Sequence, residues 1–132
     1  MQTSFRILVT GSPTTSQAHL SAIRFIRAAV KSGHKIESAF FYQDAVYVAN
    51  QFTLKPTDEA QLTKNWKRLS QEYGFELQVC VAAGNRRGVI NEGEAKLNQL
   101  SASTIDAEFK VLGLGQLAAS LSNATTKLIH FK

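Results

Sequence analysis

Cysteine and histidine are scarce in this sequence. One cysteine, Cys80, and three histidines occur among 132 residues. A single cysteine excludes a disulfide within the chain. It also excludes a cysteine-rich zinc site, and the spacing of the histidines matches no common metal-binding pattern. We therefore expect no bound metal, and we interpret His19, His34 and His130 as surface or half-buried side chains.

Long apolar runs and prolines are also scarce. The longest apolar runs are far shorter than a membrane span, and the start of the chain, MQTSFRILVTG, lacks the layout of a signal peptide. We therefore expect a cytoplasmic protein without membrane association. The two prolines, Pro13 and Pro56, each stand where a helix could begin. A content of 44% hydrophobic and 19% charged residues is typical of a globular domain.

Glycine-rich phosphate-binding motifs are absent. The segment GSPTTS, residues 11–16, follows a strand-like run but has neither the P-loop spacing nor the dinucleotide-binding spacing. The pair Gly113 and Gly115 lacks the third glycine of the dinucleotide motif. We interpret both as turns, and we expect no nucleotide cofactor.

The sequence carries a modest excess of positive charge. Lysine and arginine number 15 against 10 acidic residues, which gives a formal net charge of +5. Such an excess suits an anionic partner, such as RNA or an acidic protein surface. The basic residues are spread along the chain without a polybasic block or an RNA-binding motif. A solvated surface with a slight positive bias is therefore the favoured interpretation.

The hydrophobic pattern alternates between strand-like and helix-like segments. Strands are predicted at residues 5–10, 35–41, 75–81, 109–112 and 127–131, and helices at about 16–32, 57–73, 92–100 and 113–121. Residues 44–50 fit either a short helix or a loop. This alternation predicts βαβ units. We expect an α/β fold: one domain over residues 1–132, with a mostly parallel five-stranded sheet flanked by helices on both faces.

Cys80 lies near the end of the third predicted strand, where functional groups gather in parallel sheets. Composition alone favours a buried, inert thiol. If the strand ends at Cys80, however, the thiol faces the start of the next element, which contains residues 84–88. Backbone N–H groups there, with Arg86 or Arg87, would stabilise a thiolate. Because no histidine and aspartate accompany it, thiol exchange is favoured over hydrolysis.

Three segments resemble the sulfur-relay subunits of the DsrE-like sulfurtransferase family. They are FFYQDAVYVANQ (40–51), LQVCVAAGNRRGV (77–89) and LGLGQLAASL (112–121), and the resemblance spans essentially the whole chain. The cysteine followed by small residues and the Arg-Arg-Gly-Val turn is its most specific part. Gly84 and Asn85 depart from the family pattern, which favours more apolar, helix-forming residues at these positions.

The resemblance implies a small α/β subunit that carries sulfane sulfur as a persulfide on Cys80. It implies an upstream persulfide donor protein, a downstream sulfur-carrier protein, and a pathway towards 2-thiolation of the tRNA wobble uridine, with only indirect contact to tRNA. It also implies a heterohexamer with two homologous subunits. Arg87 and Arg86 would then stabilise the sulfur anion. Tyr42 and Asn50 would line the site, against the alternative of core packing and a turn cap.

Two other functions remain open. The chain could be a non-catalytic interaction subunit of the same fold in which Cys80 is merely buried. It could also be a sulfur-carrier subunit of a sulfur-oxidation pathway, with the same chemistry. The apolar segment FFYQDAVYV, residues 40–48, predicts an exposed patch that contacts another subunit. Its alternative is a loop folded back over the core.

Overall fold

The chain forms one five-stranded sheet, seen in a computed structural model that describes residues 1–122 and 125–132. The strand order is β4-β3-β2-β1-β5, and every neighbouring pair is parallel. The strands are β1 (Ser4–Val9), β2 (Lys35–Phe41), β3 (Glu76–Cys80), β4 (Phe109–Leu112) and β5 (Thr126–Phe131). The helices are α1 (Ala18–Lys31), α2 (Leu62–Tyr73), α3 (Val81–Arg86), α4 (Glu92–Leu97) and α5 (Leu114–Ser120). The predicted α/β fold is confirmed.

Helices cover both faces of this sheet. The chain moves in one direction from β1 to β4 and then returns to place β5 beside β1. Because parallel crossovers are right-handed, α1 and α2 lie on one face and α5 on the other. On the first face, Phe25 of α1 packs on Phe5 with ring centroids 5.1 Å apart. Trp66 of α2 packs on Phe41 at 5.0 Å.

Helix α1 ends as its sequence predicts. Its apolar residues Ala22 and Ile26 are fully buried, while Arg24 is exposed. The C-cap residue is Ser32, and the next residue, Gly33, has φ +88°. A left-handed residue at this place stops a helix, and glycine adopts that conformation at little cost. The turn therefore leads directly into β2.

The predicted helix starts at the two prolines are wrong. Helix α2 begins at Leu62 rather than at residue 57, because residues 56–59 form a turn in which the Glu59 N–H donates to the Pro56 carbonyl at 3.1 Å. The Gln61 side chain donates to the same carbonyl at 3.0 Å, which holds the turn closed. Pro13 likewise lies in a turn, several residues before α1.

Residues 43–49 form a short 3-10 segment (Gln43–Ala49) that follows the carboxyl end of β2 and packs against β3, α2 and α3. Ala45, Val46, Val48 and Ala49 are all buried in the core, whereas Tyr47 is 41% exposed. The predicted exposed apolar patch is therefore wrong, and the alternative of a loop folded over the core is confirmed. Contact of this segment with another subunit stays a prediction.

His19 lies at the centre of the core, which corrects its expected surface or half-buried position. The residue is 0% exposed. The indole N–H of Trp66 donates to its Nδ1 at 3.0 Å, so Nδ1 is the acceptor nitrogen. The proton therefore sits on Nε2, which donates to the Gly11 carbonyl at 2.9 Å. Burial lowers the pKa of His19 to about 4, and the positive charge of Lys55 adds a smaller effect in the same direction. His19 is neutral at pH 7.

Candidate functional site

Cys80 stands where the sheet passes into a helix. It is the last residue of β3 and the N-cap of α3, which begins at Val81. The strand ends within one residue of its predicted end. The first backbone N–H groups of α3 have no partner within the helix and point towards its N-terminal end. A thiolate at this position would be stabilised by those groups.

The cysteine is almost completely shielded from solvent. Cys80 is 2% exposed and belongs to the core cluster, with Val79 at 0% and Ala83 at 1%. Its side chain makes no capping hydrogen bond to α3. Such burial protects a thiol from small oxidants and reductants in solution. It also means that a donor thiol can reach the sulfur only after the surrounding residues move.

Arg87 ties the end of α3 to the 3-10 segment. Its Nε donates to Oδ1 of Asp44 at 2.8 Å, and Nη1 donates to the Ala83 carbonyl at 3.0 Å. The guanidinium is thus engaged with a carboxylate and a carbonyl in this structure. Arg86 is exposed to solvent. The sequence does not predict the Asp44–Arg87 pair, because the two residues are 43 positions apart.

A tight turn closes α3 and explains its unusual glycine. The Gly84 carbonyl accepts hydrogen bonds from the N–H groups of Arg87 and Val89, at 3.0 and 2.8 Å. A Cβ atom at Gly84 would lie 2.4 Å from the Val89 carbonyl oxygen, far inside van der Waals contact. Gly88 adopts φ +73° within the same turn. In this chain the turn therefore requires the glycine that departs from the family pattern.

Tyr42 and Asn50 flank the 3-10 segment on its two sides. Tyr42 is half-buried against the core, and its N–H donates to the Val9 carbonyl at 2.9 Å. Asn50 caps a turn, because its Oδ1 accepts from the N–H of Phe52 at 2.8 Å. Core packing and a turn cap are thus confirmed for these residues. A role for them in lining the site of Cys80 stays a prediction.

A separate cavity of about 450 Å³ lies beyond the carboxyl ends of β1 and β2. Its wall includes Asn50 and residues from the start of α2. Among the described residues, those that line it do not include Cys80, Arg86 or Arg87. Asn50 therefore faces a cavity to which Cys80 does not contribute.

Within residues 1–122 and 125–132, no three histidine, cysteine, aspartate or glutamate side chains are grouped so that they could hold a metal ion. No helix within these ranges combines the length and apolarity needed to cross a membrane.

Comparison with known proteins identifies the family. The model of the DsrE/DsrF-like family matches residues 3–131. Sulfurtransferase TusD of Enterobacter sp. (strain 638) is 44% identical over 114 residues, which cover 86% of this chain and 89% of that protein. Sulfurtransferase TusD of Cronobacter sakazakii is 43% identical with the same coverage. The crystal structure of the ychN protein from E. coli shares the fold, with a TM-score of 0.74, 20% identity, and coverage of 99% of this chain and 100% of that one. The chain belongs to the DsrE/DsrF-like family.

Proposed function

We propose that this chain is a sulfurtransferase of a sulfur relay and that Cys80 carries sulfane sulfur as a persulfide. Its similarity to proteins named sulfurtransferase TusD supports sulfur transfer. The position of Cys80 supports its assignment as the residue that carries the sulfur. It is the only cysteine in the chain, and it occupies the N-cap position of α3 at the carboxyl end of β3, an interior strand, where parallel sheets place functional groups.

The proposed reaction moves one sulfur atom without net oxidation. The Cys80 thiolate attacks the outer sulfur of an incoming persulfide, R–S–SH. The sulfur–sulfur bond of the donor breaks, its electron pair leaves with the donor as a thiolate, and Cys80 becomes Cys–S–SH. An acceptor thiolate then attacks the outer sulfur in the same way and releases Cys80 as a thiolate.

The residues around Cys80 have distinct proposed roles. The first N–H groups of α3 stabilise the thiolate and the persulfide anion. Because Cys80 is 2% exposed, docking of a donor must displace part of its cover. Arg87 would add its charge to the sulfur once it leaves Asp44, and Arg86 already lies at the surface. Tyr42 and Asn50 would line the opened site.

The proposed pathway places this chain between two carriers. An upstream persulfide donor protein loads Cys80, and a downstream sulfur-carrier protein unloads it towards 2-thiolation of the tRNA wobble uridine. Two homologous subunits would join this chain in a cytoplasmic heterohexamer, and tRNA would be reached only indirectly. Transfer needs no cofactor, because both steps exchange thiolates. A sulfur-oxidation pathway would use the same chemistry, and loss of tRNA 2-thiolation on deletion of this chain would distinguish the two.

The test is persulfide loading followed by intact-mass spectrometry. The protein is incubated with a persulfide donor, freed of excess sulfur and weighed, beside Cys80→Ser and Cys80→Ala. We expect one added sulfur atom on the wild type and none on either variant. Asp44→Asn, which keeps the cysteine, is the matched control and should still load. Sulfur retained by Cys80→Ser would contradict the proposal.

One observation favours a second function, that of a non-catalytic interaction subunit. Cys80 is buried to 2% exposure and makes no capping hydrogen bond, which is also what an inert core thiol shows. This function predicts that Cys80→Ser supports normal sulfur relay with the partner proteins. It also predicts that a thiol reagent labels wild-type Cys80 no faster than the protein unfolds.

A further inference from the structure

The cavity beyond β1 and β2 has the size of a small-molecule site. Its volume of about 450 Å³ falls within the range of about 300–1,000 Å³ that is typical of ligand pockets. The wall combines apolar groups with polar ones. Pro13 and Leu62 are buried, and Tyr47 is 41% exposed.

The charges around this cavity do not balance. Three lysines, Lys55, Lys64 and Lys67, line it with one acid, Asp106. Lys67 and Asp106 form an ion pair at 2.9 Å, which raises the pKa of Lys67 through its hydrogen bond to that carboxylate. Lys55 and Lys64 form no ion pair with a carboxylate in the part of the chain that the structure describes. Two positive charges are therefore left uncompensated.

Lys55 is the more informative of these two residues. Lys55 is half-buried, whereas Lys64 is exposed. Its charge is close enough to the buried imidazole to contribute to the lowered pKa of His19. Glu59 lies in an adjoining groove that Lys55 also lines, yet the two side chains form no ion pair in the described ranges. Lys55 therefore brings a positive charge to the cavity wall with no carboxylate paired to it.

We propose that this cavity binds a small organic phosphate of nucleotide size, with its phosphate held by Lys55 and Lys64 and its organic part against Tyr47. A phosphate monoester carries about −1.5 to −2 charges at neutral pH, which matches the two unpaired lysines. Lysine binds phosphate as a point charge and needs no planar geometry. The exposed ring of Tyr47 offers a flat surface for a base or a similar group.

The N-terminus of helix α2 adds an electrostatic field that favours an anion in this cavity. Its first turn contains no acidic side chain, and its N-cap residue, Gln61, makes no capping hydrogen bond to the helix. The cavity is built without Cys80, so this proposal does not depend on the sulfurtransferase function. Binding and sulfur loading are measured separately, and either one can fail alone.

Calorimetric titration with AMP at low ionic strength tests the proposal. We expect saturable binding to the wild type. Lys55→Gln should weaken it about tenfold, a loss of about 1.4 kcal/mol in binding free energy, and Lys64→Gln should weaken it less because Lys64 is more exposed. Lys96→Gln, an exposed lysine of α4 outside the cavity, is the matched control and should bind as the wild type does. Tyr47→Ala should weaken AMP and leave inorganic phosphate unaffected.

Several outcomes would overturn the proposal. They are the absence of saturable AMP binding, an equal loss in Lys96→Gln, and inorganic phosphate competing at the same concentration as AMP. Binding of an acidic peptide in place of AMP would also overturn it, and would make the cavity a protein-docking site. The fluorescence of the single tryptophan, Trp66, verifies that each variant is folded.

Discussion

Protonation of His19 should cost the protein a large part of its stability in mildly acidic solution. In the folded state the imidazole is buried and accepts the indole N–H of Trp66 at its Nδ1. A proton on Nδ1 would break that hydrogen bond and place a charge in the core. In the unfolded chain, protonation of His19 breaks no such hydrogen bond and places no charge in a core. His19 is therefore harder to protonate in the folded protein, and its pKa falls from 6.5 to about 4.

The size of the effect follows from this difference in pKa. Between pH 6.5 and pH 4 the unfolded state binds a proton that the folded state does not, so stability falls as the pH is lowered through this window. The contribution of neutral His19 to the free energy of unfolding is fully present above pH 6.5 and is completely lost below about pH 4. With 1.36 kcal/mol per pKa unit, the full loss is about 3 kcal/mol, of which about 2 kcal/mol is reached at pH 5.

Urea unfolding at pH 8 and at pH 5 measures this loss. The emission of Trp66, the only tryptophan, reports the transition at the residue that contacts His19. At pH 5 the ordinary carboxyl groups remain largely ionised, so histidine dominates the difference. We expect the free energy of unfolding of the wild type to fall by about 2 kcal/mol between the two pH values.

Two variants make the test specific. His19→Gln offers a donor and an acceptor but no titration, so it should be less stable at pH 8 and lose little more at pH 5. His130→Gln changes an exposed histidine, bonded to Thr10 at 2.8 Å, and should keep the pH dependence of the wild type. Equal losses in the wild type and His19→Gln would refute the reasoning.

Two further predictions concern the surroundings of the cysteine. Gly84→Ala places a methyl group against the Val89 carbonyl, so urea unfolding should show a loss of about 1–3 kcal/mol; an unchanged midpoint would contradict the account of this turn. Asp44→Asn removes the partner of Arg87 at a cost of only about 0.5 kcal/mol, because the carboxylate is largely exposed. It should raise the alkylation rate of native Cys80 several-fold, and an unchanged rate would show that this ion pair does not hold the cover closed.

Most of the fold could be predicted from local patterns. The second and fourth strands have their predicted bounds, Lys35–Phe41 and Phe109–Leu112. They read as short apolar, β-favouring runs bounded by polar residues and glycine. Gly33 and Gly74 follow α1 and α2 with positive φ, as the helix-end signal predicts. These signals succeed because burial on a sheet or helix imposes its period directly on the sequence.

The errors arise where a local signal competes with a contact formed elsewhere. Thr57, Asp58 and Glu59 are typical of a helix start, yet the Gln61 side chain closes a turn there and α2 begins later. The apolar segment 40–48 predicts an exposed patch, with a loop folded back over the core as the alternative, and the structure buries Ala45, Val46 and Val48. The sequence shows that this segment is hydrophobic. The order of the strands determines that it packs on the core instead of facing solvent.

The sequence by itself determined that the single cysteine would stand at the end of a strand, because hydrophobic period acts over a few neighbours. Helix α3 (Val81–Arg86), which follows that strand, is not among the helices predicted from the sequence. Only the tertiary structure decided that Cys80 is buried and that Arg87 is paired with Asp44, 43 positions away. It also decided that His19 meets Trp66, 47 positions away. Contacts of that length depend on how strands are ordered and helices packed, which a local pattern does not specify.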